Sequence, residues 1–266
     1  MNNQNLEFYL PIEIWKLIFT KINSKYSILH LKFVLRDWYK LSKSFLKFCG
    51  FSINYSSYLA SNGYLNLLKW ARENNCPWSR DTCSCAAKGG HLEILQWARL
   101  NECPWDEYTC SNAALGGHLK VLKWAIENKC YWDEYTCSDA AFGGHLKVLK
   151  WARKNGCLWN INTCCQAAKR GHLKVLKWAI KNGCPWNRNI CRCAAYGGHL
   201  EIIQWAKQNG CPLDESLCLI ATFQGHLEIL KWAKLNNCPW NEDKIKQEAI
   251  FHKKNNIIDW LNTINK

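Results

Sequence analysis

Seventeen cysteines and eight histidines in 266 residues are enough to hold a metal or run thiol–disulfide exchange, and their spacing decides whether they do. His91, His118, His145, His172, His199 and His226 recur every 27 residues, and so do the cysteines from Cys76 to Cys238. His91 and Cys103 stand twelve residues apart. On one helix that is about 18 Å at ~1.5 Å per residue, far outside a coordination shell of ~2 Å radius. Pairs such as Cys83 with Cys85, or Cys191 with Cys193, are two apart and point to different sides of a helix. Equivalent cysteines of neighbouring repeats are expected one helix-packing distance apart, about 8–10 Å, beyond the ~7 Å Cα separation of a disulfide. The cysteines therefore read as small apolar core residues. Cys85, Cys165 and Cys193 break the repeat and are the expected exposed thiols. Ser-His-Asp order, a P-loop, Gly-x-Gly-x-x-Gly and paired carboxylates are all absent. No catalytic residue, metal or cofactor is expected, and the chain does not read as an enzyme.

What positions these residues is one stretch used many times. Gly90 opens GHLEILQWARLNECPWDEYTCSNAALG, and Gly117, Gly144 and Gly171 open near copies of it. Trp70, Trp97, Trp124, Trp151, Trp178, Trp205 and Trp232 keep the same 27-residue period. From His91 to about Asn101 the spacing predicts a helix, with Leu92, Leu95 and Ala98 on one stripe and Ile94 and Trp97 widening it. The Cys-Pro-Trp run is expected to end it, because proline cannot continue the ladder. Asp106 suits a cap, and a shorter helix is expected from about Thr109 to Leu115, with Cys110, Ala113 and Ala114 as its small inner face. Gly116 and Gly117 permit the turn into the next unit. Each unit is a pair of antiparallel helices too small to bury its own apolar face, so the units must stack. The tryptophans, at helical spacing, are expected in the core.

The run A-A-x-G-G-H-L-E-I-L-x-W-A-x-x-N-x-C-P-W resembles the ankyrin repeat. On that match Trp97 and Ala98 take two core leucine places, Cys103 takes the alanine that closes the second helix, and Trp105 takes the following core valine. The Thr-Pro-Leu-His tetrapeptide is not preserved, and the unit lacks the residues of ankyrin's projecting β-hairpin. The chain is similar to the short, Trp- and Cys-rich ankyrin variant expanded in giant DNA viruses and some protists, over about residues 53–266. That resemblance implies a groove for a protein partner. Its implied anchors are the variable residues after Ala-Ala, namely Lys88, Leu115, Phe142, Lys169, Tyr196 and Phe223, with Tyr108 and Tyr135 at first-helix starts. It also implies histidines that bond to the backbone of an adjacent turn or repeat.

Residues 8–48 fall outside the repeat. There Leu10, Pro11, Glu13, Ile14, Ile18, Phe19, Val34, Arg36, Trp38 and Leu41 resemble an F-box in order and spacing. That implies a three-helix head that docks on a Skp1-type adaptor of cullin ubiquitin ligases through Leu10, Pro11, Ile14, Ile18, Val34 and Trp38. The alternative is a helical cap over the first repeat. The fold class is thus all-α, an ankyrin-like α-solenoid of stacked helix pairs with an F-box-like head, degenerate in its first and last repeats.

A net charge of +14 and a pI near 9.1 would suit nucleic acid. Much of it is lysine repeated along the second helices, as at Lys120, Lys123, Lys147, Lys150, Lys174 and Lys177, which reads as an outer solvated face. Nucleic acid ranks below a protein partner, and the charge would help association with an acidic one. Met1 to Glu7 is polar with no long apolar run behind it, so neither a signal peptide nor a membrane span is read. An intracellular, cytoplasmic monomer is expected. It would be an adaptor between a Skp1-type protein and an unknown target, or else a plain interaction scaffold.

Overall fold

A computed structural model of the chain describes residues 54–264 apart from residue 74. The head at 8–48, with Leu10, Pro11, Ile14, Ile18, Val34 and Trp38, lies outside the described residues. The described residues form sixteen helices and no strand. In pairs they are α1 (Tyr55–Ser61) with α2 (Leu65–Glu73), α3 (Thr82–Gly89) with α4 (Leu92–Leu100), α5 (Glu107–Leu115) with α6 (Leu119–Glu127), and α7 (Glu134–Phe142) with α8 (Leu146–Lys154). Then come α9 (Ile161–Lys169) with α10 (Leu173–Lys181), α11 (Asn189–Gly197) with α12 (Leu200–Gln208), α13 (Glu215–Gln224) with α14 (Leu227–Leu235), and α15 (Glu242–Phe251) with α16 (Asn255–Ile264). No described helix is long and apolar enough to cross a membrane.

The helices divide into two compact units, one ending at Thr109 and one beginning at Cys110. In the first, α1 packs on α3, and each carries its own second helix, α2 and α4. In the second, α7, α9, α11, α13 and α15 pack side by side, and each of α7, α9, α11, α13 and α15 also packs on the helix that follows it. These are stacked helix pairs of ankyrin-like type, as the sequence led one to expect.

The two helix rows bury different residues. In α8 Val148, Leu149 and Ala152 are at most 2% exposed, while in α7 Cys137, Ala140 and Ala141 are fully buried. Small side chains on the first helices let their backbones approach, and the larger aliphatics of the second helices fill the space between layers. A helix of nine residues is marginal alone, so burial of residues such as Leu149, worth about 2–3 kcal/mol, is what holds it. The first helix is not the shorter one: α7 and α8 have nine residues each. It starts earlier than the apolar pattern suggests because the cap sets its start. Asp133 accepts from the Tyr135 N–H at 3.0 Å and Asn160 from the Asn162 N–H at 2.9 Å.

Nor does proline end the second helix. The Gly156 N–H donates to the Arg153 carbonyl at 3.2 Å and the Cys157 N–H to that of Ala152 at 3.0 Å, with Gly156 left-handed at φ 88°. This is a Schellman closure. Tyr131 and Leu158 stand where another repeat has Pro104, and the helices before them end the same way.

In four of the second helices the first turn is tied to the preceding repeat by a histidine. His145 Nε2–H donates to the Leu115 carbonyl at 3.0 Å and His172 to that of Phe142 at 3.0 Å, each thirty residues back. His226 reaches Tyr196 at 3.3 Å, and in the first unit His91 reaches Ser61 at 3.2 Å. Because a carbonyl only accepts, the proton sits on Nε2. The ring needs room, which glycine provides: a Cβ on Gly144, at φ 78°, would lie 2.6 Å from Cε1 of His172. Gly156 is equally left-handed but faces nothing within 4 Å, and Glu102 and Lys129 occupy its place in other repeats.

Urea unfolding should separate these two glycines. Gly156→Ala carries only the left-handed penalty, about 1–2 kcal/mol, whereas Gly144→Ala adds a steric clash with the histidine and should cost more than ~2 kcal/mol. Equal losses would contradict the account of the clasp.

Candidate functional site

A first helix shows two variable places outward, its first turn and its last. At the first turn, Tyr108 of α5 and Tyr135 of α7 are 55% and 58% exposed. At the last, Tyr196 of α11 and Phe223 of α13 are 47% and 46% exposed, and Lys88 ends α3 in solvent. Leu115, Phe142 and Lys169 differ from expectation, being half-buried. For Phe142 and Lys169 the reason is a side-chain ladder between repeats. The Arg170 guanidinium lies 4.8 Å from the Phe142 ring, Lys169 Nζ lies 4.6 Å from the Tyr196 ring, and Phe223 meets His252 edge-on at 4.6 Å. The same last-turn residues give their carbonyls to the histidine bonds, so the row is partly structural. An open depression between α13 and α15, lined by Leu219, Lys244, Gln247, Glu248 and Phe251, was not legible beforehand. Phe251 is 80% exposed, and it belongs to the worn last repeat, whose register slips by one residue.

Among the described residues the tryptophans are not in the core. Trp97, Trp124, Trp151 and Trp178 are half-buried, and most helix indoles meet the indole of the loop that precedes their repeat's first helix. Trp132 lies 6.0 Å from Trp151, Trp159 lies 5.9 Å from Trp178, and in the last repeat Trp240 lies 6.0 Å from Trp260. Each of Trp151, Trp178 and Trp205 also has a lysine of the preceding repeat over its ring, Lys123 at 5.8 Å, Lys150 at 5.8 Å and Lys177 at 5.9 Å. Sequence spacing puts an indole on the apolar stripe but cannot show that it lies at the stripe's edge, where a ring this large stays half in water.

The cysteines do meet, though not as equivalents of adjacent repeats. Two pairs stand twenty residues apart within one helix pair. Cys191 Sγ is 2.9 Å from Cys211 Sγ, and Cys218 Sγ is 3.8 Å from Cys238 Sγ. All four are buried, and no described cysteine is in a disulfide. Cys103 and its equivalents lie beyond the second helix rather than on it, which is why one-helix spacing misplaces them. The hydrogen bond to Cys211 and then burial push the Cys191 thiol up, keeping it protonated, and a thiol is neither nucleophile nor ligand. Cys165 and Cys193, expected to be exposed, are half-buried, and their mutual hydrogen bond followed by burial pushes Cys165 up. Burial likewise pushes up Cys85. Among the described residues no group of three or more His, Cys, Asp or Glu is placed to hold a metal. Burial pushes the His145 imidazole down, against the opposing pull of its bond to the Leu115 carbonyl.

These side chains are arranged to pack, to clasp and to present a surface. Residues 164–206 match the family model for ankyrin repeats (many copies). None of the curated proteins compared matches the chain. The family match and the recurring helix pairs together support an ankyrin-repeat protein, a kind of fold that serves protein–protein interaction.

His145 makes stability depend on pH. A lowered folded pKa means that the unfolded chain binds more protons, so His145 contributes fully above its ordinary pKa of ~6.5. That contribution should be lost as the pH falls through ~6.5 towards the lowered folded value. Urea midpoints at about pH 7.5 and about pH 5.5 should diverge more for the wild type than for His145→Gln; an equal or smaller divergence would contradict the assignment.

Proposed function

We propose that the chain is a non-enzymatic adaptor: the first-helix face holds a target protein, and residues 8–48 recruit a Skp1-type adaptor of a cullin ubiquitin ligase. The observation that carries the target-binding half is the pattern of large rings left in water. Tyr135, Tyr196 and Phe223, 58%, 47% and 46% exposed, stand on helices whose inner residues are fully buried and nearly alike from repeat to repeat. Aromatic side chains on a rigid frame are the usual anchors of an interface, and a frame already ordered loses little freedom on binding. Where the repeats differ is where one partner is told from another.

The ligase half rests on the sequence run from Leu10 to Leu41 and its resemblance to an F-box. The shared reading, an interaction scaffold, stands whether or not that half does.

Two measurements test the halves separately. The full chain should bind a purified Skp1-type adaptor, and Leu10→Ala/Pro11→Ala should abolish it; no binding by the wild type ends the ligase reading and leaves the scaffold. Tyr135→Ala/Tyr196→Ala should lose the partners that the wild type captures, about tenfold or more in affinity, while still unfolding in one cooperative urea transition. Capture equal to the wild type would place the partner surface elsewhere.

A further inference from the structure

We propose a second docking surface on the other helix row: the second helices of three consecutive repeats, α6, α8 and α10, form a cationic platform for an acidic segment of a partner protein. The outward positions of a second helix lie at i, i+3 and i+7, which share one face and span about 10 Å along the axis. In α8 they are Lys147, Lys150 and Lys154, and in α10 Lys174, Lys177 and Lys181. In α6 they are Lys120 and Lys123, with Glu127 closing the face. Eight of the nine positions are lysine. All eight lysines are exposed, and among the described residues none is in an ion pair.

The platform has an edge. At the same positions α12 carries Glu201, Gln204 and Gln208, and α14 carries Glu228, Lys231 and Leu235. There the single lysine, Lys231, is neutralised by Glu228 at 2.8 Å. A face selected only for solubility would mix signs as α14 does. Like charges at i, i+3 and i+4 spacing repel, so eight of them on the second helices of three successive repeats destabilise the free stack and reward an anion laid over it. The middle row is also held in place, since Lys123, Lys150 and Lys177 each lie within 6 Å of the next repeat's indole.

The same features choose the occupant. Lysine is a point charge without the planar fork that reads phosphate in two bonds. The one arginine nearby, Arg153, is tied to the Cys157 carbonyl and to Trp159. The indoles are taken up by lysine and by each other, so they offer no free ring for bases to stack on. A duplex running on along this unit would meet Glu201 and Glu228, whereas a run of about eight carboxylates, ~26–29 Å when extended, fits across three helices and stops.

The test is fluorescence anisotropy with labelled octaglutamate. The wild type should bind at about 20 mM salt and weaken about tenfold or more by about 200 mM, as screening shortens. Lys147→Gln/Lys150→Gln/Lys174→Gln should weaken binding about tenfold or more, and Lys231→Gln should not. Circular dichroism should show all variants folded, because only exposed side chains change. No binding at low salt, or a triple variant that binds like the wild type, overturns the platform. A nonanucleotide of equal charge bound more tightly through the same lysines overturns the choice of an acidic protein segment.

Discussion

Everything in this stack depends on a histidine reaching back thirty residues to a carbonyl. The bond joins the start of one second helix to the end of the preceding first helix, so it fixes at once the spacing of repeats and the turn within each. It works only where the neighbouring glycines leave room for the ring, which is why Gly144 and Gly171 are left-handed and pressed against His172 and His199. The burial of Leu149 or Ala140 supplies far more free energy than one hydrogen bond, which contributes about 1 kcal/mol net. But aliphatic burial is non-directional and would tolerate many registers. The histidine tolerates one.

The two helix rows then take different work. First helices are lined with alanine, cysteine and threonine inside, so they can pack closely, and they leave their aromatic side chains at the ends. Second helices carry the aliphatic core on one side, the indole–lysine band at its border and the lysine face beyond. A single 27-residue unit thus offers one apolar, ring-rich surface and one charged surface. The repeats vary them independently: α12 loses the lysine face while α11 keeps an exposed ring at Tyr196.

Much of this was legible in the sequence, and the part that was not has physical causes. The 27-residue period gave the helix pairs, their ends to within about two residues and the buried Leu95, Ala98, Cys110 and Ala113, because apolar spacing along one helix reports burial directly. It misplaced whatever depends on a second element. Asp106 does cap the first helix, accepting from the Tyr108 N–H at 3.2 Å, but the helix starts at Glu107, two residues before the apolar pattern. A left-handed residue, not Pro104, stops the second. Cys191 and Cys211 meet because the chain folds back between them, which no one-helix spacing reveals. Of the candidate anchors, Tyr108, Tyr135, Tyr196 and Phe223 stand exposed, while Leu115, Phe142 and Lys169 are half-buried in the row between repeats. Their type and position were readable, but their neighbours were not.

The most direct test of the central claim is to delete one whole repeat, the 27 residues from Gly144 to Arg170. His172 then follows Gly143 and Gly171 and takes the place of His145 at the Leu115 carbonyl. The account predicts a chain that keeps its far-ultraviolet helix signal per residue and unfolds in one cooperative urea transition, less stable than the parent. Loss of the cooperative transition would mean that the repeats are not interchangeable units clasped in register, and the account would fail.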